Sequence, residues 1–573
     1  MVLALLTVGC STTKEHTPAS DSAAPHTTTH SSTTTPTPVD SGNPGPGGPD
    51  LVLPEPDPTI LVEVDEGTPV SCENPAARSD LGAYIPVEDW DGLGAIPHFA
   101  GGLPGATMSV AIGDIDGDGT VDVLHGSPDG TIAMLGQGDG TFDFAPPETW
   151  PTPPSDDRYV SGIVLVDLDD DNDLDAVVSH RTHLPARYMN RGDGTFEAFF
   201  DLGADPTETG HVGGAVADID GDGHLELMVG GHQPSDYTAA DPPPASRAAL
   251  YSLAGGELGP GPFTLPERAH EGYTFVTALL DLDEDGRPDA YMANDHGATG
   301  PANALLWGAG EAPHRSFIED ATGSGLEVHM AGMGIGVGDL NHDGIADLAV
   351  SNWEAPKLFL SDPEWGWFDA ALARGVTDSG DSTVGWGTDL GDFDNDGDLD
   401  IYMTFGYLPI PDTSSRPNAE RQPDQFLEND GRGYFADIAP ALGVDDTYVG
   451  RTAMLVDLNN DGFLDLYLGR QFRPPRVWLA RCSNAHWVSV RLEQAAPNSD
   501  AIGAKVQLVS ASGTQTRWMQ AGGRSFGASH PHLAHFGLGD DDHIERILVT
   551  WPDGVVTEVT DQPTNRALVL KRR

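Results

Sequence analysis

Asp114-Ile115-Asp116-Gly117-Asp118-Gly119-Thr120-Val121-Asp122 places acidic residues at positions 1, 3, 5 and 9 of a nine-residue loop, with glycine at position 6. The pattern returns six times. Its later copies carry Asp167, Asp169, Asp171 and Asp175; Asp218, Asp220, Asp222 and Glu226; and Asp281, Asp283, Asp285 and Asp289. They continue with Asp339, Asn341, Asp343 and Asp347; Asp392, Asp394, Asp396 and Asp400; and Asp457, Asn459, Asp461 and Asp465. Successive loops begin 53, 51, 63, 58, 53 and 65 positions apart. Seven copies at near-regular spacing mark a repeat architecture. Short apolar runs flank each loop, such as Val121–Leu124, Ala176–Val178 and Leu466–Leu468, and they read as strands. The spacing predicts an all-β fold: a seven-bladed β-propeller with calcium-binding loops, followed by a small C-terminal β domain.

Calcium takes six to eight oxygen ligands and tolerates irregular angles, which suits carboxylates at alternate positions of a chain curling round an ion. Position 6 must turn sharply. Glycine stands there in six loops and Asn172 in the other, both tolerant of left-handed backbone. Position 7 can offer its carbonyl, and position 9 closes the shell. Asn341 and Asn459 supply a neutral amide oxygen, so those two loops are expected to bind more weakly. An EF-hand shares positions 1, 3, 5 and 6 but needs Glu at position 12 and flanking helices. Position 12 here is His125, Val178, Val229, Met292, Val350, Met403 or Leu468. The loop therefore joins two strands.

Each repeat has a second turn, as in Gln137-Gly138-Asp139-Gly140 and Arg191-Gly192-Asp193-Gly194, where Asp-Gly between apolar runs signals a hairpin. The Arg-Gly-Asp tripeptide spells an integrin ligand. Its twin lacks the arginine at the same place, so turn chemistry accounts for Gly-Asp without a receptor.

The segments Gly332–Asp347 and Gly385–Asp400 resemble FG-GAP/VCBS repeats of the integrin α-type propeller, and Asp289–Asp295 extends the likeness. His486-Trp487, Asp500–Lys505, His535–Gly539 and Trp551–Gly554 resemble the ASPIC/UnbV domain that follows such propellers in bacteria and in the cartilage acidic protein family. The resemblance implies repeats over 101–482 and a terminal β domain over 483–573. It implies little about function.

The net charge of −60 would strain a compact fold through self-repulsion. Thirty of the 89 acidic residues lie within the seven loops, where calcium would offset them. No basic stripe is present for phosphate contact, so nucleic acid is not an expected partner.

Residues 1–10 end an apolar run in Gly9-Cys10, the form of a bacterial lipoprotein signal with Cys10 acylated; an ordinary secretory signal is the alternative. Residues 11–51, rich in Ser, Thr, Pro and Gly, read as a disordered tether. Residues 52–100 are transitional and are expected to hold a ring-closing strand. If Cys10 carries lipid, Cys72 and Cys482 either form a disulfide stapling the ring or remain free thiols.

No nucleophile elbow, phosphate loop or zinc-protease motif stands out. Asp295-His296, His180 to His183 and His530 to His532 are polar clusters able to line a channel or pocket, and Trp365 to Phe368 can stack on sugars or pack a core. Trp487, Phe536 and Trp551 read as the core of the terminal domain. The chain thus reads as a monomeric, extracytoplasmic calcium-binding module for adhesion or scaffolding. It would be lipid-anchored at the outer membrane or cell surface, otherwise periplasmic or extracellular, and would present one propeller face to a protein or glycan. Calcium would be structural, at up to seven sites. The runner-up is a carbohydrate-acting or redox enzyme with its site in the propeller channel.

Overall fold

The computed structural model describes residues 51, 53–70, 84–86 and 109–573. Breaks fall at 128–129, 147–148, 152–159, 182, 201–209, 233–245, 298–299, 320–322, 364, 378–382, 407–421 and 472. The signal segment, most of the tether, Cys10 and Cys72 lie outside the described residues, as does part of the long inter-loop excursions at 238–270 and 405–425.

Each of the first six repeats folds into four antiparallel strands in chain order, as in Val160–Val166, Asp175–His180, Ala186–Asn190 and Phe196–Phe199, and the seventh into three. The first strands of the seven sheets are Ser109–Gly113, Val160–Val166, His211–Ala217, Thr274–Leu280, Ile335–Gly338, Gly385–Gly391 and Gly450–Val456. The acidic loop always joins the first strand to the second. The seventh sheet is completed by Tyr84–Pro86, which pairs with Arg476–Ala480.

The first strands are buried along their whole length. Both faces pack on neighbouring sheets, so apolar residues stand on both faces without alternation, as in Ile163-Val164-Leu165-Val166. Ile163 and Leu165 of the second sheet share a core with Ala111 and Leu124 of the first. Val276 and Tyr291 of the fourth meet Ile335 and Leu348 of the fifth. Met454 and Tyr467 of the seventh pack on Val110 and Ile112 of the first, so the row of sheets closes on itself.

The C-terminal domain is a pair of four-stranded sheets. One holds His486–Glu493, Ala534–Gly539, Arg566–Arg572 and a strand from far upstream, Val62–Glu66; the other holds Lys505–Ser510, Gly513–Trp518, His543–Thr550 and Val556–Pro563. Val506, Phe536, Ile547, Trp551 and Leu568 lie in its core. Trp487 does not. It packs with Phe463 and Cys482 at the seventh sheet, so close to Gly462 that any β-carbon there would collide with the indole. Cys482 is disulfide-bonded.

The segment 519–533 leaves the C-terminal domain and enters the middle of the ring. Ala521–Gly522 pairs with the first strand of the third sheet, Ala528–Ser529 with that of the first, and Ser525 bridges to Ile335 of the fifth. Phe526 stands 5.3 Å from Phe275 and 5.4 Å from Trp386, ring centre to ring centre. Gly523 must be glycine: its φ is +71°, and a β-carbon would lie 2.5 Å from the Thr277 carbonyl. The centre of the ring is therefore filled by protein.

Candidate metal centres

The loop geometry follows from where its backbone N–H groups go. Asp114 Oδ1 accepts from the amides of Gly117 (2.8 Å) and Asp118 (3.1 Å), and Oδ2 accepts from Gly119 (2.9 Å). Position 1 thereby curls the chain round its own carboxylate. Left-handed backbone at position 6 is present in every loop, from Gly286 at +82° to Gly397 at +108°, with Asn172 at +70°. Position 4 is left-handed too: Gly117, Asp170, Gly221, Glu284, His342, Asn395 and Asn460 all have positive φ. Sequence reasoning missed this second kink because only two of the seven residues are glycine.

Position 9 does more than face the loop. Asp122 accepts the Ile115 amide at 2.8 Å and the amide of Gly136, on the third strand, at 2.8 Å. Asp175 repeats this with Leu168 and Asn190, Asp289 with Leu282 and Gly308, Asp347 with Leu340 and Ser361, and Asp465 with Leu458 and Ala480. The position-9 carboxylate is thus a buried clamp between loop and sheet, a role its spacing does not reveal.

Among the described residues, five loops bring three carboxylates within 4.8 Å of one another: Asp114, Asp116 and Asp122; Asp167, Asp169 and Asp175; Asp218, Asp220 and Glu226; Asp281, Asp283 and Asp285; and Asp392, Asp394 and Asp400. Four of these unite positions 1, 3 and 9; the loop at 281 unites 1, 3 and 5. Position 5 also accepts the amide of position 7, as Asp118 does from Thr120, Asp222 from His224 and Asp285 from Arg287. The two loops with an amide at position 3 are not among the five. In one of them Asn459 donates its Nδ2 to Asp461 at 3.0 Å.

Crowding carboxylates in a buried place works against ionisation. Burial pushes Asp122 up to about 7, and Asp175, Glu226 and Asp289 up to about 8, with neighbouring loop carboxylates adding to the rise and backbone amides opposing it. Asp347, Asp400 and Asp465 are raised well above the ordinary range for the same reason. Three converging carboxylates held against ionisation fit a hard divalent cation, which supplies the missing opposite charge. Positions 1, 3 and 9 would hold it, with the carbonyl of position 7.

The C-terminal domain sits on this face of the ring. Ser499 Oγ donates to Asp167 at 2.9 Å, the Gly537 amide donates to Asp392 at 3.0 Å, the Gly539 amide donates to the Asn395 carbonyl at 2.7 Å, and Lys505 pairs with Glu284.

The polar clusters singled out in the sequence have different fates. His530 lies in the central segment, its Nε2 2.8 Å from Asp389, and Arg524 stands 3.5 Å from the same carboxylate. Burial alone would raise Asp389, but His530 and Arg524 hold it below the usual range. This group pins the segment inside the ring. His532 pairs with Asp500 at 2.9 Å. His232 is 3.9 Å from Asp295, and its ring is 6.4 Å from His296, away from the acidic loops. His180 and His183 are 6.5 Å apart. Trp367 is core, donating to the Ala346 carbonyl, whereas Trp365 is 74% exposed. Asp193 and Asp139 accept from Thr195 and Thr141 in the same way, so the Arg-Gly-Asp turn and its twin share one geometry.

No helix among the described residues is long and apolar enough to cross a membrane. Residues 114–178 and 281–350 match the FG-GAP-like repeat family, and residues 494–573 match the ASPIC and UnbV family. Cartilage acidic protein 1 of Homo sapiens is 28% identical over 276 residues, covering 46% of this chain and 39% of that protein. The Xenopus tropicalis protein of the same name is 28% identical over 280 residues, covering 47% and 40%. The chain thus spans about 40% of the length of the curated relatives it matches. Among solved structures, an Agrocybe aegerita lectin described as recognising non-reducing terminal N-acetylglucosamine aligns at a TM-score of 0.38 and 16% identity, over 64% of this chain and 93% of that one. That likeness is too distant to bear on the present site. The chain carries FG-GAP-like repeats at 114–178 and 281–350 and an ASPIC and UnbV domain at 494–573, and over a little under half of its length it is similar to cartilage acidic protein 1.

Proposed function

We propose that the chain is a calcium-stabilised seven-bladed β-propeller acting outside the cytoplasm as a binding, adhesion or scaffold module. On this reading its C-terminal domain caps the calcium-loop face, and a lipid on Cys10 holds it at a bacterial surface. The observation that carries the reading is the convergence of three carboxylates within 4.8 Å in five loops of the same form. Calcium there is structural, tying the first two strands of each sheet, with affinity suited to surroundings where the ion is near 10⁻⁴–10⁻³ M, as in extracellular modules. A disulfide between Cys72 and Cys482 completes the closure. Against the alternative of an enzyme working in the propeller channel, Phe526 and its neighbours stand in the middle of the ring, which favours the binding reading.

The test is the melting temperature of the protein in millimolar calcium, in magnesium and in chelator. A cation that binds only the folded state raises stability by mass action, about 2.7 kcal/mol per site at a hundredfold excess over Kd. A rise of many degrees with calcium, poorly matched by magnesium and reversed by chelator, is expected. Identical curves in all three would end the calcium reading.

A further inference from the structure

A cleft of about 440 Å³ opens between the ring and the C-terminal domain, beside the acidic loops at 218 and 281. Its volume lies within the range of small-ligand sites, and a domain boundary is a usual place for one.

Three features of this cleft stand apart from the rest of the face. The first is Gln507. It is 2% exposed and lines the cleft, and its side-chain amide makes no hydrogen bond to any described residue. Buried amides are normally paired, so this one is placed for a partner that enters from the cleft. It offers both a donor and an acceptor.

The second is Arg315. Its Nε is buried without a hydrogen bond, and its guanidinium has no carboxylate partner among the described residues, although the chain carries 89 acidic side chains. A guanidinium left open in so acidic a molecule suits a carboxylate brought by a ligand, since the two groups match in a forked geometry.

The third is the loop at 281. Its converging trio is Asp281, Asp283 and Asp285, and the last two are exposed. The buried Asp289 stays in its clamp to Leu282 and Gly308. A calcium ion held by this loop would meet the cleft at Asp285, which borders it and pairs with Arg287. Calcium accepts carboxylate and hydroxyl oxygens alike. Across the cleft, half-buried Trp518 pairs in register with Lys505 on the strand that carries Gln507, with the Lys505 ammonium 5.7 Å from the indole ring centre, so an aromatic side chain lines the cleft next to polar groups. Aromatic faces beside hydrogen-bonding amides are what a pyranose ring needs.

We propose that this cleft binds a carboxylated saccharide, its carboxylate on Arg315 and the loop at 281–289, its hydroxyls on Gln507, and its ring against Trp518. The proposal rests on the calcium reading of that loop and names the ligand class that the module holds.

The experiment measures binding of a galacturonate trimer by calorimetry, using the full chain in millimolar calcium. Its methyl ester serves as the uncharged control and a short polyglutamate as the peptide control. The trimer is expected to bind in calcium and to lose affinity at least tenfold in Arg315→Gln and in Gln507→Leu, while both variants keep the calcium-dependent rise in melting temperature. The ester and polyglutamate are expected not to bind. Failure of the trimer to bind while the melting temperature still rises with calcium overturns the cleft proposal and leaves the structural calcium sites standing. No rise at all overturns both. Binding that survives both substitutions, or equal binding of polyglutamate, also overturns the saccharide site.

Discussion

The loops at 114 and 392 share one nine-residue pattern and end in different surroundings. In the first, Asp118 and Gly119 are exposed, and its carboxylates accept amides from its own sheet alone. In the sixth, Asp392 is 1% exposed and accepts from Gly397 in its own loop and from Gly537, 145 residues away in the C-terminal domain. The difference teaches that the motif builds the turn and buries position 9 in both loops, and that the domain lying over it decides how far the position-1 carboxylate is removed from water. A cation under the cover would become part of the joint between ring and domain; one in the first loop would brace the ring alone, where Asn190 of the second sheet donates to the Ile115 carbonyl and Asn460 of the seventh loop to that of Gly119.

If burial sets the balance, the largest effect is on pH dependence without metal. Asp122, Asp175, Glu226 and Asp289 are raised from ordinary values of 3.8, or 4.5 for Glu226, to about 7 or 8. A raised carboxyl favours folding while protonated. The contribution is therefore fullest near pH 4 and is lost as pH rises through about 8. In chelator, the melting temperature is expected to fall between pH 5 and 8; in saturating calcium the fall should vanish, because the bound ion holds the groups ionised. A fall of equal size in calcium would break the account.

Next in size is the direct comparison of the two loops. Asp392→Ala strands buried amides from two domains and is expected to cost about 3 kcal/mol or more, against about 1 kcal/mol for Asp114→Ala, read as denaturant midpoints in calcium. Equal losses would mean that the covering domain is irrelevant. Asp389→Asn separates the cover from the plug: it leaves His530 and Arg524 facing a neutral amide inside the ring, and a loss of about 2 kcal/mol is expected. Asp389 is held below its usual range, so its contribution is present at neutral pH and lost as pH falls through the acid range, the opposite sign to the loop carboxylates. In the variant the acid limb of the stability curve should flatten. The smallest effect is expected from Asn459→Asp, which restores a carboxylate at position 3 and should tighten calcium severalfold in a titration, with little change in the melting temperature of the chelated protein.

Much of this was legible in the sequence because it is local. The turn at Gly119, the strands on either side of Asp122 and the repeat length are written within nine to fifty consecutive residues. What stayed hidden is non-local. Nothing within Ala521 to Ser529 says that Gly522 and Gly523 are small because the first strands of the ring come within contact. Trp487 looked like a domain core residue because it lies among apolar strand residues, but its ring faces Gly462 across a domain boundary. The role of position 9 as a clamp was hidden for the same reason: its second partner stands on the third strand, 14 residues downstream of Asp122. At the candidate cleft, Lys505 was visible only as the end of the Asp500–Lys505 segment and Trp518 carried no signal, since a cleft between two domains has no spacing to read.

The strand Val62–Glu66 lies at the start of the described chain, yet it pairs with Arg566–Arg572 at the very end. Leu51, further upstream, rests against Gly344 of the fifth loop. A pull arriving through the upstream chain must first free Leu51 from the fifth loop and then part five paired residues from Val62 to Glu66 before it reaches Tyr84–Pro86. In mechanical terms the C-terminal domain bears the load ahead of the strand that closes the seventh sheet.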